Sequence, residues 1–176
     1  MPVQIGVKSH HYSEPLGLLS DCHRRIEMFL GSLTAIAKVA GPPLNEEGCR
    51  ALENALRYFR EAAPKHTADE EQSLFPRLSA ANYEEAVLTR MAELEKDHLW
   101  AESLHTEVDR LGQKYIDEGR LSDHDSAEFR NAMDALAAMY ERHIKIEDEL
   151  LFPFAEKALT QADKLAIAAE MAGRRT

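Results

Sequence analysis

His66-Thr67-Ala68-Asp69-Glu70-Glu71-Gln72-Ser73-Leu74-Phe75-Pro76 returns 77 residues later as His143-Ile144-Lys145-Ile146-Glu147-Asp148-Glu149-Leu150-Leu151-Phe152-Pro153. Both stretches read HxxxE, then an acidic residue, then a Leu-Phe-Pro ending. On a helix, four residues span about 6 Å of rise and about 40° of rotation, so each histidine and its glutamate leave one face a turn apart. That is chelating geometry. Working outward, Cys22-His23 and Asp97-His98 stand upstream with His23 and His98 at 43 and 45 residues from His66 and His143. The chain is therefore a duplicated unit, a single histidine followed by HxxxE.

Glycine and proline punctuate the chain between long periodic stretches. Ser13-Glu14-Pro15 reads as a helix start and Gly41-Pro42-Pro43 as its stop, which places a first helix over about 14–40. Asn45 caps a second helix that runs to the Phe75-Pro76 stop, and Ser79 or Asn82 caps a third that ends near Gly119. Ser122 with Asp125 resembles a capping box for a fourth, stopped at Phe152-Pro153, and Thr160 with Asp163 repeats the signal for a short terminal helix over about 160–172. No stretch alternates with the two-residue period of a half-buried strand. Steps of three and four mark the buried seams: Leu19, His23, Ile26 and Leu30; Phe59, Ala63, His66, Glu70 and Ser73; Leu94, His98, Ala101 and His105; Tyr140, His143, Glu147, Leu150 and Phe154. The fold expected is all-α, an up-down-up-down antiparallel four-helix bundle over about 14–157, within one domain spanning 1–176. Pro64 is expected to kink the second helix just before His66.

Each of the six polar residues His23, His66, Glu70, His98, His143 and Glu147 occupies a slot where the seam calls for an apolar side chain. Unpaired charge there costs several kcal/mol per group, and a bound metal removes that cost. Six side-chain donors exceed what one tetrahedral zinc takes and suit two ions bridged by the two carboxylates. Imidazole with carboxylate suits iron, with manganese and zinc as rivals. A ferritin-like site would need ExxH on two helices, whereas Glu95/His98 and Glu102/His105 both fall on the third.

These residues resemble the hemerythrin-like HHE cation-binding domain family over about 14–157. The resemblance implies a hemerythrin-like bundle holding two iron ions with an oxo or hydroxo bridge, His23, His66, His98 and His143 as terminal ligands, and Glu70 and Glu147 as bridges. Oxygen-carrying hemerythrins place two histidines four apart on the third helix; here Glu102 follows His98 at that spacing, which turns the resemblance away from oxygen carriage. The four-His, two-Glu set is more similar to bacterial di-iron proteins of iron-sulfur repair under nitrosative or oxidative stress. Those carry a cysteine-bearing N-terminal domain, and the residues read here are filled by the bundle.

The formal charge of −10 with scattered basic residues argues against nucleic acid. No apolar run reaches the roughly 18 residues of a membrane span, and with two lone cysteines, Cys22 and Cys49, a cytoplasmic protein is expected. Three functions follow: a repair or stress-response factor that handles peroxide, nitric oxide or damaged iron-sulfur proteins; a reversible binder or sensor of oxygen or nitric oxide; or a structural or buffering protein for zinc or manganese. His105 sits about 10 Å along the seam from His98 and reads as a core or cavity-lining residue. Tyr140 reads as packing with its hydroxyl bonded, Cys22 as structural, and Glu27, Glu102, His10, His11 and His124 as solvated.

Overall fold

The computed structural model describes residues 14–81 and 85–176. Ser13, Asn82, His10 and His11 lie outside the described residues. Among the described residues all elements are helical: α1 (Pro15–Lys38), α2 (Glu46–Glu61), α3 (Ala63–Asp69), a first π-turn (Glu70–Leu74), α4 (Phe75–Ala81), α5 (Glu85–Glu118), α6 (Asp123–Ile146), a second π-turn (Glu147–Leu151), α7 (Phe152–Ala158) and α8 (Gln161–Gly173). They stack into five rods, because α2 to α4 form one interrupted rod and α6 to α7 another.

Local chemistry explains the ends. Asn45 Oδ1 accepts from the Gly48 amide at 2.8 Å, and Ser122 Oγ accepts from the Asp125 amide at 3.1 Å. Thr160 and Asp163 form the full reciprocal box at the start of α8. Each such cap satisfies a backbone donor that the helix leaves open, a contribution of about 1 kcal/mol. Gly119 ends α5 with φ of +71°, a left-handed backbone conformation that residues with a side chain rarely adopt. The break at Ala62 comes from Pro64 in the first turn of α3.

The two Phe-Pro pairs do not stop their helices, contrary to the sequence expectation. A proline ring in a regular α-turn collides with the carbonyl four residues back. Here each chain widens instead: the Phe75 amide donates to Glu70 O and the Phe152 amide to Glu147 O, five residues back. The helix then resumes with Pro76 and Pro153 in its first turn, where no N–H is needed. The extra residue also turns the buried face. Leu150, expected on the seam, is 59% exposed, Phe154 is half-buried, and Leu151 and Phe152 are buried in their place.

α1 packs along α2 and α6, and α5 along α2 and α6, which closes the four-rod ring. At Gly112 a Cβ would come within 2.8 Å of Leu56 Cδ1, so α5 and α2 approach closely there. Two apolar clusters fill the ring. One holds Ile26, Leu33, Leu56, Val108, Phe129 and Met133; the other holds Leu19, Leu74, Leu94, Phe152 and Ile167. The six polar seam residues form a layer between them. α8 lies outside the ring against α1, α3 and the first π-turn. Among the described residues, no helix is long and apolar enough to cross a membrane.

Candidate metal centre

Each π-turn begins at the glutamate of an HxxxE pair. Glu70 and Glu147 are thereby carried at widened turns, fully buried, while α1 delivers His23, α3 His66, α5 His98 and α6 His143. His98, which sequence counting placed up to two turns away, reaches the same layer. All six residues converge in two overlapping sets: His23, His66, Glu70 and Glu147, and Glu70, His98, His143 and Glu147, with ligand atoms within 4.8 Å inside each set.

The contacts are specific by atom. Glu70 Oε1 lies 3.1 Å from His66 Nε2 and 3.8 Å from His23 Nε2, while Glu70 Oε2 lies 3.2 Å from His98 Nε2. Glu147 Oε2 lies 3.1 Å from His23 Nε2 and 3.3 Å from His143 Nε2. Glu70 thus turns one oxygen to each set. Although close, these carboxylate atoms do not meet hydrogen-bond angles: both oxygens of Glu70, both of Glu147 and His23 Nε2 are buried without a partner. His98 Nε2 and His143 Nε2 face each other at 3.2 Å. Buried anions and opposed imidazole lone pairs are costly when left so, and a cation between them satisfies every one. The donor set therefore fits metal ions.

Carboxylates behind the imidazoles orient them. His23 Nδ1 donates to Asp148 Oδ1 at 2.9 Å and His98 Nδ1 to Glu71 Oε1 at 2.7 Å. His143 Nδ1 makes a longer contact of 3.4 Å with Asp97 Oδ2, itself paired with Arg142. An ionised carboxylate only accepts, so the proton is held on Nδ1 and the Nε2 lone pair is free for a metal. Asp148 is steadied in turn by Ser20 at 2.7 Å and by Arg24. His66 differs, since its Nδ1 is buried with no partner.

The electrostatics follow the same pattern. Burial works against the His23 imidazolium, but hydrogen bonding to Asp148 and the close carboxylates of Glu147 and Glu70 lift it to about 11. His98 rises to about 9, burial again being outweighed, here by Glu70 and Glu71. Burial leads for His66, whose value falls. Burial also opposes the Glu70 anion, yet the surrounding imidazoles His66, His23 and His98 hold it well below the usual carboxylate range. A pocket negative enough to draw protons onto two buried imidazoles is one that draws a cation.

Of the other residues singled out from sequence, Glu27 and Glu102 are exposed and belong to neither set. His105 Nε2 and the Tyr140 hydroxyl pair at 2.9 Å on a cavity wall, as expected. Cys22 is a buried free thiol, and His124 is exposed near Glu128. Sequence reasoning assigned no role to Glu71, Asp148 or Asp97. The signal was present: an acidic residue follows the glutamate in both copies. Asp69 was also passed over; it is fully buried and takes both Arg174 at 2.9 Å and Arg175 at 2.6 Å.

Comparison with known proteins agrees with this geometry. Residues 14–159 match the family model described as hemerythrin HHE cation binding domain. A protein of Haemophilus influenzae (strain Rd), described as an uncharacterised protein, is 28% identical over 169 residues, covering 93% of this chain and 91% of that protein.

Proposed function

The chain belongs to the hemerythrin HHE cation-binding domain family, and from that premise we propose that it is a cytoplasmic non-haem di-iron protein of the oxidative or nitrosative stress response. In this reading it handles peroxide, nitric oxide or dioxygen, or serves the repair of damaged iron centres. One observation carries the nuclearity: two four-donor sets share two carboxylates whose four oxygens are buried and unpartnered. His23 and His66 would hold one ion, His98 and His143 the other, and Glu70 and Glu147 both. Two imidazoles and two carboxylate oxygens per ion leave positions of a six-coordinate ion for exogenous ligands. When bound, iron supplies Lewis acidity and electrons for chemistry on such ligands. The chain's part is to keep the imidazole protons on Nδ1 through Asp148, Glu71 and Asp97, and to exclude water with the flanking apolar clusters. Glu102, exposed in the place of a fifth histidine, supports reactivity over reversible oxygen carriage.

The test is elemental analysis of protein purified from its own host, with an optical spectrum after anaerobic reduction and reoxidation. About two iron ions per chain and a visible band that responds to oxidation are expected. Zinc or manganese alone would replace this reading with metal buffering. A band that returns unchanged over repeated oxygenation cycles would favour a reversible oxygen carrier.

A further inference from the structure

The two sides of the metal layer differ in access. His23 is fully buried and stacks on Phe152 at 5.3 Å between ring centres, and His66 is only 5% exposed. His98, by contrast, borders a cavity of about 460 Å³ between α2/α3 and α5. A small molecule's share of liquid, such as one water, is roughly 30 Å³, so a diatomic gas leaves most of this space unfilled. Volumes of this order are those of organic-ligand pockets.

The walls state what fits. Leu33, Leu56, Ala63, Ala101 and Val108 are apolar. Phe59 stacks on His105 at 4.5 Å and 27°, a flat aromatic surface. Beside Thr67, Thr106 and His98, the wall carries the His105–Tyr140 pair, joined at 2.9 Å. Burial drops the His105 imidazolium to about 4 and pushes the Tyr140 phenol up, so both stay uncharged near neutral pH. The rim carries Glu71, Glu102 and Asp109, while its one guanidinium, Arg60, is already paired with Asp109. Apart from His98 at its inner end, the interior is neutral and greasy, and an acidic rim over such walls disfavours anions.

We propose that this cavity binds an uncharged organic molecule with an aromatic or alkyl body and one hydrogen-bonding head, the head on His105 and Tyr140 and the molecule lying beside His98. The proposal rests on the metal-centre reading only in making this molecule the one presented to the His98 side; the cavity walls carry the rest.

The probe is 4-propylphenol, titrated calorimetrically into the zinc-loaded full chain. One saturable site is expected. Tyr140→Phe weakens it about fivefold, the loss of one hydrogen bond. Thr106→Trp, at an exposed position on the cavity edge, narrows the mouth and weakens it about tenfold. The anion 4-propylbenzoate, with the same body, binds at least about tenfold more weakly. Absence of saturable binding, unchanged affinity in either variant, or equal binding of the benzoate overturns the proposal. Zinc takes no part in redox chemistry, so failure here leaves the iron reading intact, and failure of the iron reading leaves this site standing.

Discussion

The His23/His66 half and the His98/His143 half of the cluster descend from one repeated sentence, yet their outer hydrogen bonds are not equivalent. Glu71, next to the glutamate of the first copy, reaches across to His98; Asp148, next to that of the second, reaches across to His23. Asp97, just before His98, meets His143. Symmetry would have the residue just before His23 meet His66, but that residue is Cys22, and His66 Nδ1 has no partner. Instead α8 covers this half: Arg174 and Arg175 grip Asp69, and Arg174 also donates to Ser73. One half therefore has a carboxylate behind each of its imidazoles, whereas the other has one behind His23 alone and a helix laid over it. Carboxylates behind a ligand raise its basicity and fix its tautomer, whereas a covering helix only restrains position.

The harshest way to break the comparison removes what both halves share. Glu70→Ala deprives both sets of a donor, and metal content is expected to fall from about two ions per chain to fewer than one, whereas His66→Ala keeps about one. Elemental analysis of the two variants decides it; retention of two ions in Glu70→Ala would mean the carboxylate is no bridge. Next comes the covering helix. Arg174→Ala with Arg175→Ala leaves the fully buried Asp69 without its guanidinium partners, a loss of about 3 kcal/mol or more in urea unfolding.

The halves themselves are sharpened by exchange. Asp97→Ala is expected to weaken the His98/His143 ion about 10-fold to 100-fold, while Cys22→Asp tightens the His23/His66 ion about tenfold by supplying the missing acceptor. Competition of cobalt-loaded protein against a chelator reads both, and in the wild type the His66 half should release first. Identical release from the two halves would dissolve the asymmetry.

The last comparison is the pH dependence of the empty and the loaded protein. In metal-free protein, His98 and His23 have folded values raised to about 9 and about 11, above the ordinary 6.5. Groups raised in this way stabilise the fold fully below pH 6.5 and lose that contribution as pH climbs through the folded values. The metal-free melting temperature should therefore fall between pH 6.5 and 9. The loaded protein should show the opposite slope, losing stability towards pH 5 as protons compete with metal for imidazole. Parallel slopes in thermal melts would contradict a metal held by these imidazoles.

Much of the site was legible because the anomaly was local. His66 with Glu70, and His143 with Glu147, are wrong-polarity residues one turn apart on apolar seams, which a single helix's geometry reveals. The overall bundle was legible for the same reason, and the caps at Asn45, Ser122 and Thr160 stand where their side chains predicted. Leu150 and Phe154 were misplaced because Phe-Pro reads as a stop, and nothing in the one-dimensional pattern announces that a π-turn will absorb the proline and shift the buried face. Asp97, Glu71 and Asp148 gained roles only from partners on other helices.

By itself, then, the sequence determined the helices, their apolar stripes and the two His–Glu pairs one turn apart, since each depends on φ and ψ repeated along one chain segment. The tertiary structure decided which carboxylate stands behind which imidazole, that His66 is left without one, where the cavity beside His98 opens, and that α8 closes over the other half. Those outcomes depend on the rotation and axial register of separate helices, and only the packing of their side chains against one another sets these.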